Sequence, residues 1–153
     1  MTNAKKDRKQ REFLLKTYGK RYDRHWSGRP GCFYCGDKWL ELDHCPPLSW
    51  CEVKEHKWFK ERKIGFYLVN SCSDCNRMLS NRALFTLQER AEFIRIRLER
   101  KTEKIVIWSN DEIKEMSERF QKTIKARQQM QNTLLDRLRY SQEMQYRPDD
   151  FPL

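Results

Sequence analysis

Two Cys-x-x-Cys pairs, Cys32-Phe-Tyr-Cys35 and Cys72-Ser-Asp-Cys75, constrain this chain more than any other feature. A Cys-x-x-Cys turn wraps one face of a tetrahedral ion, and two such turns complete a site of four thiolates. The forty or so residues between them must therefore close on themselves, with Gly36 letting the first knuckle turn. Cys45 and Cys51 have no partner at that spacing and read as small, half-buried apolar residues outside the metal site. Ligation rather than disulfide pairing presumes a reducing compartment. The first residues, MTNAKKDRKQR, lack the apolar centre of a signal peptide, and no run of eighteen apolar residues occurs. The expectation is a cytoplasmic protein with no membrane segment, holding structural Zn²⁺ on Cys32, Cys35, Cys72 and Cys75.

Such a staple answers a weakness in the composition. Apolar residues are 38% and charged residues 35% of 153, so hydrophobic burial alone would hold so short a chain only marginally. The formal charge of +10 points to a polyanionic partner, and nucleic acid is the first candidate. Residues 1–29 carry ten Lys or Arg against three acidic residues, with a weak helical stripe of Phe13, Leu14, Tyr18 and Tyr22. They are expected to form a basic helical segment, with Lys5, Lys6, Arg8, Lys9 and Arg11 as nucleic-acid contacts. SGRPG at 27–31 marks a turn-rich boundary. A zinc-bound unit follows over 30–85, with strands at Trp39–His44 and Phe66–Asn70 and a helical insertion at 51–63. Residues 86–147 read as helical, because Thr86-x-x-Glu89 and Ser109-x-x-Glu112 are capping boxes, the second opening a long helix to about Gln145. Residues 148–153 form a tail. The fold class expected is α+β.

Two short strands, a knuckle at each end and a helix starting at the second knuckle describe a small finger. The pattern CFYCG, then LDHCPPLSW, then FYLVNSCSDCNRMLSNR resembles the HNH endonucleases, over about a third of the chain from Cys32 to Arg82. The resemblance implies a ββα-metal, treble-clef-like finger flanked by helices. It implies that His44 is the general base activating water, and that Asp43 and Asn76 hold a catalytic Mg²⁺ or Mn²⁺ ion. Beside the metal helix, Arg77 and Arg82 are candidates for holding substrate phosphates. The family's middle Asn falls at Tyr67 in this chain, with Asn70 three residues later as the only nearby substitute.

The function implied is a metal-dependent endonuclease or nickase acting on DNA, and a compact HNH chain suggests a phage or mobile-element setting, hence a host-cell cytoplasm. The alternative is a zinc-dependent nucleic-acid-binding module without cleavage, which Tyr67 motivates. The apolar stripe of the last helix, Ile113, Met116, Phe120, Ile124, Leu134, Leu135 and Leu138, fits either a helix folded back on the protein or a homodimer seam.

Overall fold

The computed structural model describes residues 2–152. The chain is mixed α+β, with a three-stranded sheet, several helices and a long C-terminal helix. In chain order the elements are α1 (Asn3–Tyr18), β1 (Asp23–Arg24), β2 (Glu41–Cys45), α2 (Leu48–Val53), α3 (His56–Glu61), β3 (Tyr67–Ser71), α4 (Ser73–Leu79), α5 (Leu87–Thr102), α6 (Asn110–Lys114) and α7 (Glu118–Met144). Single 3₁₀ turns occur at Gly19–Arg21 and Pro148–Asp150.

The sheet order is β1-β3-β2. β2 runs antiparallel to β3, with His44 opposite Leu68 and Cys45 opposite Tyr67, so the ladder continues one residue past the expected strand end. β1 pairs in parallel with β3 and was not foreseen, because two residues carry no period of their own. Among the described residues only β3 is paired on both sides, which leaves one edge of β2 free.

Two apolar clusters hold the chain together. One gathers both knuckles with Phe33, Tyr34, Val69 and Leu79, and with Leu87, Ile94, Leu98 and Met144 from α5 and α7. The other joins Leu14 of α1 and Tyr22 to Leu48, Cys51, Phe59 and Phe66, with Trp50, Trp58 and Phe85 at its margin. Trp39 is 43% exposed under the Arg24 guanidinium.

Both capping boxes form. The second opens only the five residues of α6, however, and the helix restarts at Ser117, whose hydroxyl accepts from the Phe120 amide at 3.4 Å. From there α7 returns along α5. Ile113 and Ile124 are buried and Leu134 and Leu138 lie against the knuckle cluster, so part of the stripe considered as a homodimer seam is covered within the chain, while Phe120 is 50% exposed. Among the described residues no helix is long and apolar enough to cross a membrane.

Candidate metal centre and cleft

The first knuckle closes through the Gly36 amide, which donates to the Cys32 carbonyl at 2.9 Å. Gly36 has φ +74°, and a Cβ there would lie 2.6 Å from the Tyr140 ring, so both the turn and the approach of α7 require glycine. The second knuckle is the start of α4: Cys72 is its N-cap, and the Cys75 amide donates to the Cys72 sulfur at 3.4 Å. β3 runs directly into this knuckle, and the Phe33 amide donates to the Asn70 carbonyl at 2.8 Å, tying the two knuckles together.

All four cysteines are buried and their sulfurs lie within 4.8 Å of one another. The Cys35 and Cys72 sulfurs are 3.7 Å apart. A zinc ion bound tetrahedrally at about 2.3 Å sets its sulfurs about 3.8 Å apart. The donor set and spacing therefore fit a structural metal ion of the zinc type. Hydrogen bonds from the neighbouring Cys32 thiol pull Cys35 and Cys72 below the ordinary thiol range.

Arg137 of α7 was not foreseen in this centre. Its Nε donates to the Cys35 sulfur at 3.2 Å, its Nη2 lies 3.5 Å from the Cys75 sulfur, and the same nitrogen pairs with Asp74 at 2.9 Å. A four-thiolate zinc centre carries two net negative charges, and with such an ion bound this guanidinium would offset part of them. No local signal marks Arg137, which lies 102 residues from Cys35 in sequence.

Beside the centre lies a cleft of about 560 Å³ that straddles the free edge of β2. One wall is α1, through Asp7, Gln10, Arg11 and Leu14, and the opposite wall is α4, through Ser73, Asn76 and Arg77. The wall residues of α1 follow the i, i+3, i+4, i+7 spacing of one helical face, a polar stripe that the apolar pattern did not reveal. Gln10 donates to Glu52 of α2 at 3.1 Å and anchors α1 there. His44 lines the cleft half-buried, its ring packed edge-on against Tyr22 with centroids 4.9 Å apart. Burial, reinforced by the Arg11 and Arg90 charges, pulls its pKa down to about 4, against the weaker upward pull of Asp43.

Asp43 departs from its expected role. Strand alternation persists to Cys45, so Asp43 shares the inward face of β2 with Cys45 and is 3% exposed. Its Oδ1 accepts from Arg90 Nη2 at 2.5 Å, and its Oδ2 accepts from Arg90 Nε at 2.9 Å and from the Tyr34 hydroxyl at 2.5 Å. Both oxygens are committed to this buried pair, and Asp43 does not fit as a ligand of a catalytic ion. The carboxylate that meets Asn76 is Glu41, two residues earlier on the same strand face. Asn76 Nδ2 donates to it at 2.5 Å and the Ser73 hydroxyl at 3.1 Å. The strand period puts Glu41 on the same face as Asp43, but outside the Asp-His motif that marks the site in sequence.

The remaining candidates separate by place. Arg11 and Arg77 line the cleft, whereas Arg82 is held away by the Met78 carbonyl at 2.9 Å and lies over the Phe93 ring. Lys5, Lys6, Arg8 and Lys9 are exposed on α1 outside the cleft lining, with Arg8 3.8 Å from Glu12. Tyr67 is a half-buried sheet residue opposite Cys45 and Asp23. Asn70 is buried, and its side-chain oxygen accepts from Arg24, so it fastens β1 to β3. Comparison with protein-family models, with curated proteins and with solved structures found no match.

Proposed function

We propose that this chain is an HNH-type nuclease that hydrolyses DNA phosphodiesters, with Zn²⁺ on the four cysteines as its structural staple. The observation that carries this reading is the half-buried His44 set in a cleft between two arginine-bearing helix walls. A neutral imidazole accepts a proton, and a His with its pKa well below neutrality stays in that form throughout the working range. In the reaction His44 takes the proton of an attacking water. Arg11 and Arg77, reaching in from opposite walls, neutralise the nonbridging phosphate oxygens as negative charge grows in the transition state. The half-buried setting strengthens both interactions by limiting screening. The Cys₄ zinc takes no part in the chemistry. It fixes α4, and with it Arg77 and Asn76, against β2.

The second reading is a zinc-dependent nucleic-acid-binding module without cleavage. What favours it is the Asp43–Arg90–Tyr34 cluster, which engages both oxygens of the family carboxylate, together with Tyr67 at the family's Asn position. Supercoiled plasmid incubated with the zinc-loaded protein in Mg²⁺ or Mn²⁺, with EDTA as control, separates the two. Nicking by the wild type that falls about 10²-fold or more in His44→Ala, with DNA affinity kept, is the expected result. Equal cutting by both proteins would exclude His44 as base. Binding without cutting under either metal would establish the module reading.

A further inference from the structure

We infer that the outward face of the first half of α7 docks in the major groove of duplex DNA. This names a specificity surface outside the cleft, and it rests on the nucleic-acid partner that both readings above share rather than on cleavage. Asp and Glu number 22 of the chain's 153 residues, yet none occurs in the seventeen from Arg119 to Leu135, where four Lys or Arg and five Asn or Gln stand. Among the described residues none of the four cations, Arg119, Lys122, Lys125 and Arg127, is ion-paired. The neighbouring pairs, Lys114 with Asp111 and Arg137 with Asp74, lie on either side of the run. Unneutralised cations of this density on a solvent face are complementary to a polyanion.

The fold decides which side of the helix is offered. Ile124 is buried, Gln121 donates to the Met116 carbonyl at 2.8 Å and Gln128 to the Trp108 carbonyl at 3.0 Å, so this side is clamped to α6 and the segments around it. The opposite side carries Arg119, Lys122, Thr123, Ala126, Met130 and Thr133, all exposed and spaced i, i+3, i+4, i+7, i+11 and i+14. Thr123 and Thr133 direct their hydroxyls to the Arg119 and Gln129 carbonyls, which leaves their methyl groups for the surface beside Ala126 and Met130. Lys125 and Arg127 flank Ala126, about 100° round the axis on either side. A helix about 10–12 Å across with its side chains fits a groove about 12 Å wide. In that seat the flanking cations meet the phosphate rims on both sides, Arg119 and Lys122 reach guanine edges, and the apolar middle meets thymine methyls. A second copy of the chain fits worse, because its cations would face these with no acid between them.

The test is fluorescence anisotropy of the full zinc-loaded chain with a mixed-sequence DNA duplex and its RNA counterpart, without added Mg²⁺ or Mn²⁺. Ala126→Glu sets a carboxylate in the middle of the face and should weaken DNA binding about 10-fold or more. Gln142→Glu makes the same change of charge at an exposed position further along α7 and should leave the affinity near wild type. Lys125→Gln with Arg127→Gln should lower the slope of log affinity against log salt by about 1.8, the share of two phosphate contacts. The RNA duplex should bind the wild type clearly more weakly, since its narrow major groove admits no helix. Helicity and zinc content should stay at the wild-type level in every variant. Equal losses in Ala126→Glu and Gln142→Glu would reduce the effect to overall charge and overturn the face, as would an unchanged affinity in Ala126→Glu. Equal binding of the two duplexes would overturn the groove. Wild type that binds neither duplex refutes the nucleic-acid readings themselves, and this face with them. Binding lost in Ala126→Glu, with no plasmid cutting by the wild type, refutes the nuclease and leaves the face standing.

Discussion

Asp43 and His44 are neighbours in sequence with opposite fates, and a pleated strand is the reason. His44 faces the cleft, while Asp43 faces inward and is neutralised by Arg90 with side-chain exposures of 4% and 1%. A buried pair is costly to break from one side, because the remaining charge is stranded without water. Arg90→Leu should therefore lower unfolding stability by about 3–5 kcal/mol in urea denaturation. The double variant with Asp43→Asn should lose clearly less than the sum of the two single losses. His44 gives a second expectation. Its folded pKa of about 4 lies below its ordinary value of 6.5, so between those values the unfolded chain binds more protons than the folded one. His44 should thus contribute stability that is fully present above about pH 6.5 and declines as the pH falls towards 4. Imidazole NMR titration checks it directly: a His44 midpoint near or above 6.5 would mean that the ring is not desolvated as the structure places it.

Among the elements, α7 is the one whose role reaches furthest beyond its own sequence. Its apolar stripe packs on α5, and Arg137 adds a polar contact with the sulfurs of the knuckles. Docking of α7 and retention of metal should consequently stabilise each other. Arg137→Leu should release zinc to a chelator about 10-fold faster or more and shift the charge-transfer absorption of the Co²⁺-substituted protein, with Arg137→Lys restoring part of both. Unchanged release and an unchanged spectrum would show that the guanidinium does not act on the sulfurs. Cys72→Ser should lose the metal and unfold the centre, whereas Cys45→Ser should keep it. The contrast with the knuckles explains what sequence can reveal. Cys-x-x-Cys, Gly36 and the capping boxes are local signals whose chemistry lies within a few residues, and each appears where its pattern placed it. The parallel strand β1, the restart at Ser117 and the contact of Glu41 with Asn76 depend on what packs opposite, which no window of sequence contains. Asp43 was misplaced for a related reason. The strand expected to end at His44 continues, and pairing with Tyr67 carries the alternation through Cys45.

At the scale of the whole molecule, the +10 charge is divided by the fold into two kinds of position. Arg11 and Arg77 line the cleft, whereas Lys5, Lys6, Arg8 and Lys9 are exposed on α1 outside its lining. On the nuclease reading these groups do different work, and salt separates them. Each exposed contact with duplex DNA releases condensed counterions, so the slope of log affinity against log salt should shrink by about 0.9 for every α1 contact removed. Neutralising Lys5, Lys6, Arg8 and Lys9 together should flatten that slope and weaken binding, while zinc content and the cleavage rate at saturating DNA stay near wild type. Arg11→Ala and Arg77→Ala should do the reverse, changing the slope by no more than one contact each while lowering cleavage at saturation, because their charge is felt most when the transition state forms. Binding isotherms at three salt concentrations, paired with single-turnover cleavage, measure both. If the four α1 changes leave the slope untouched, α1 lies away from the DNA and its charge serves another partner. If Arg11→Ala and Arg77→Ala alter binding alone, the cleft holds the backbone without acting on the reacting phosphate, and the binding-module reading gains the site.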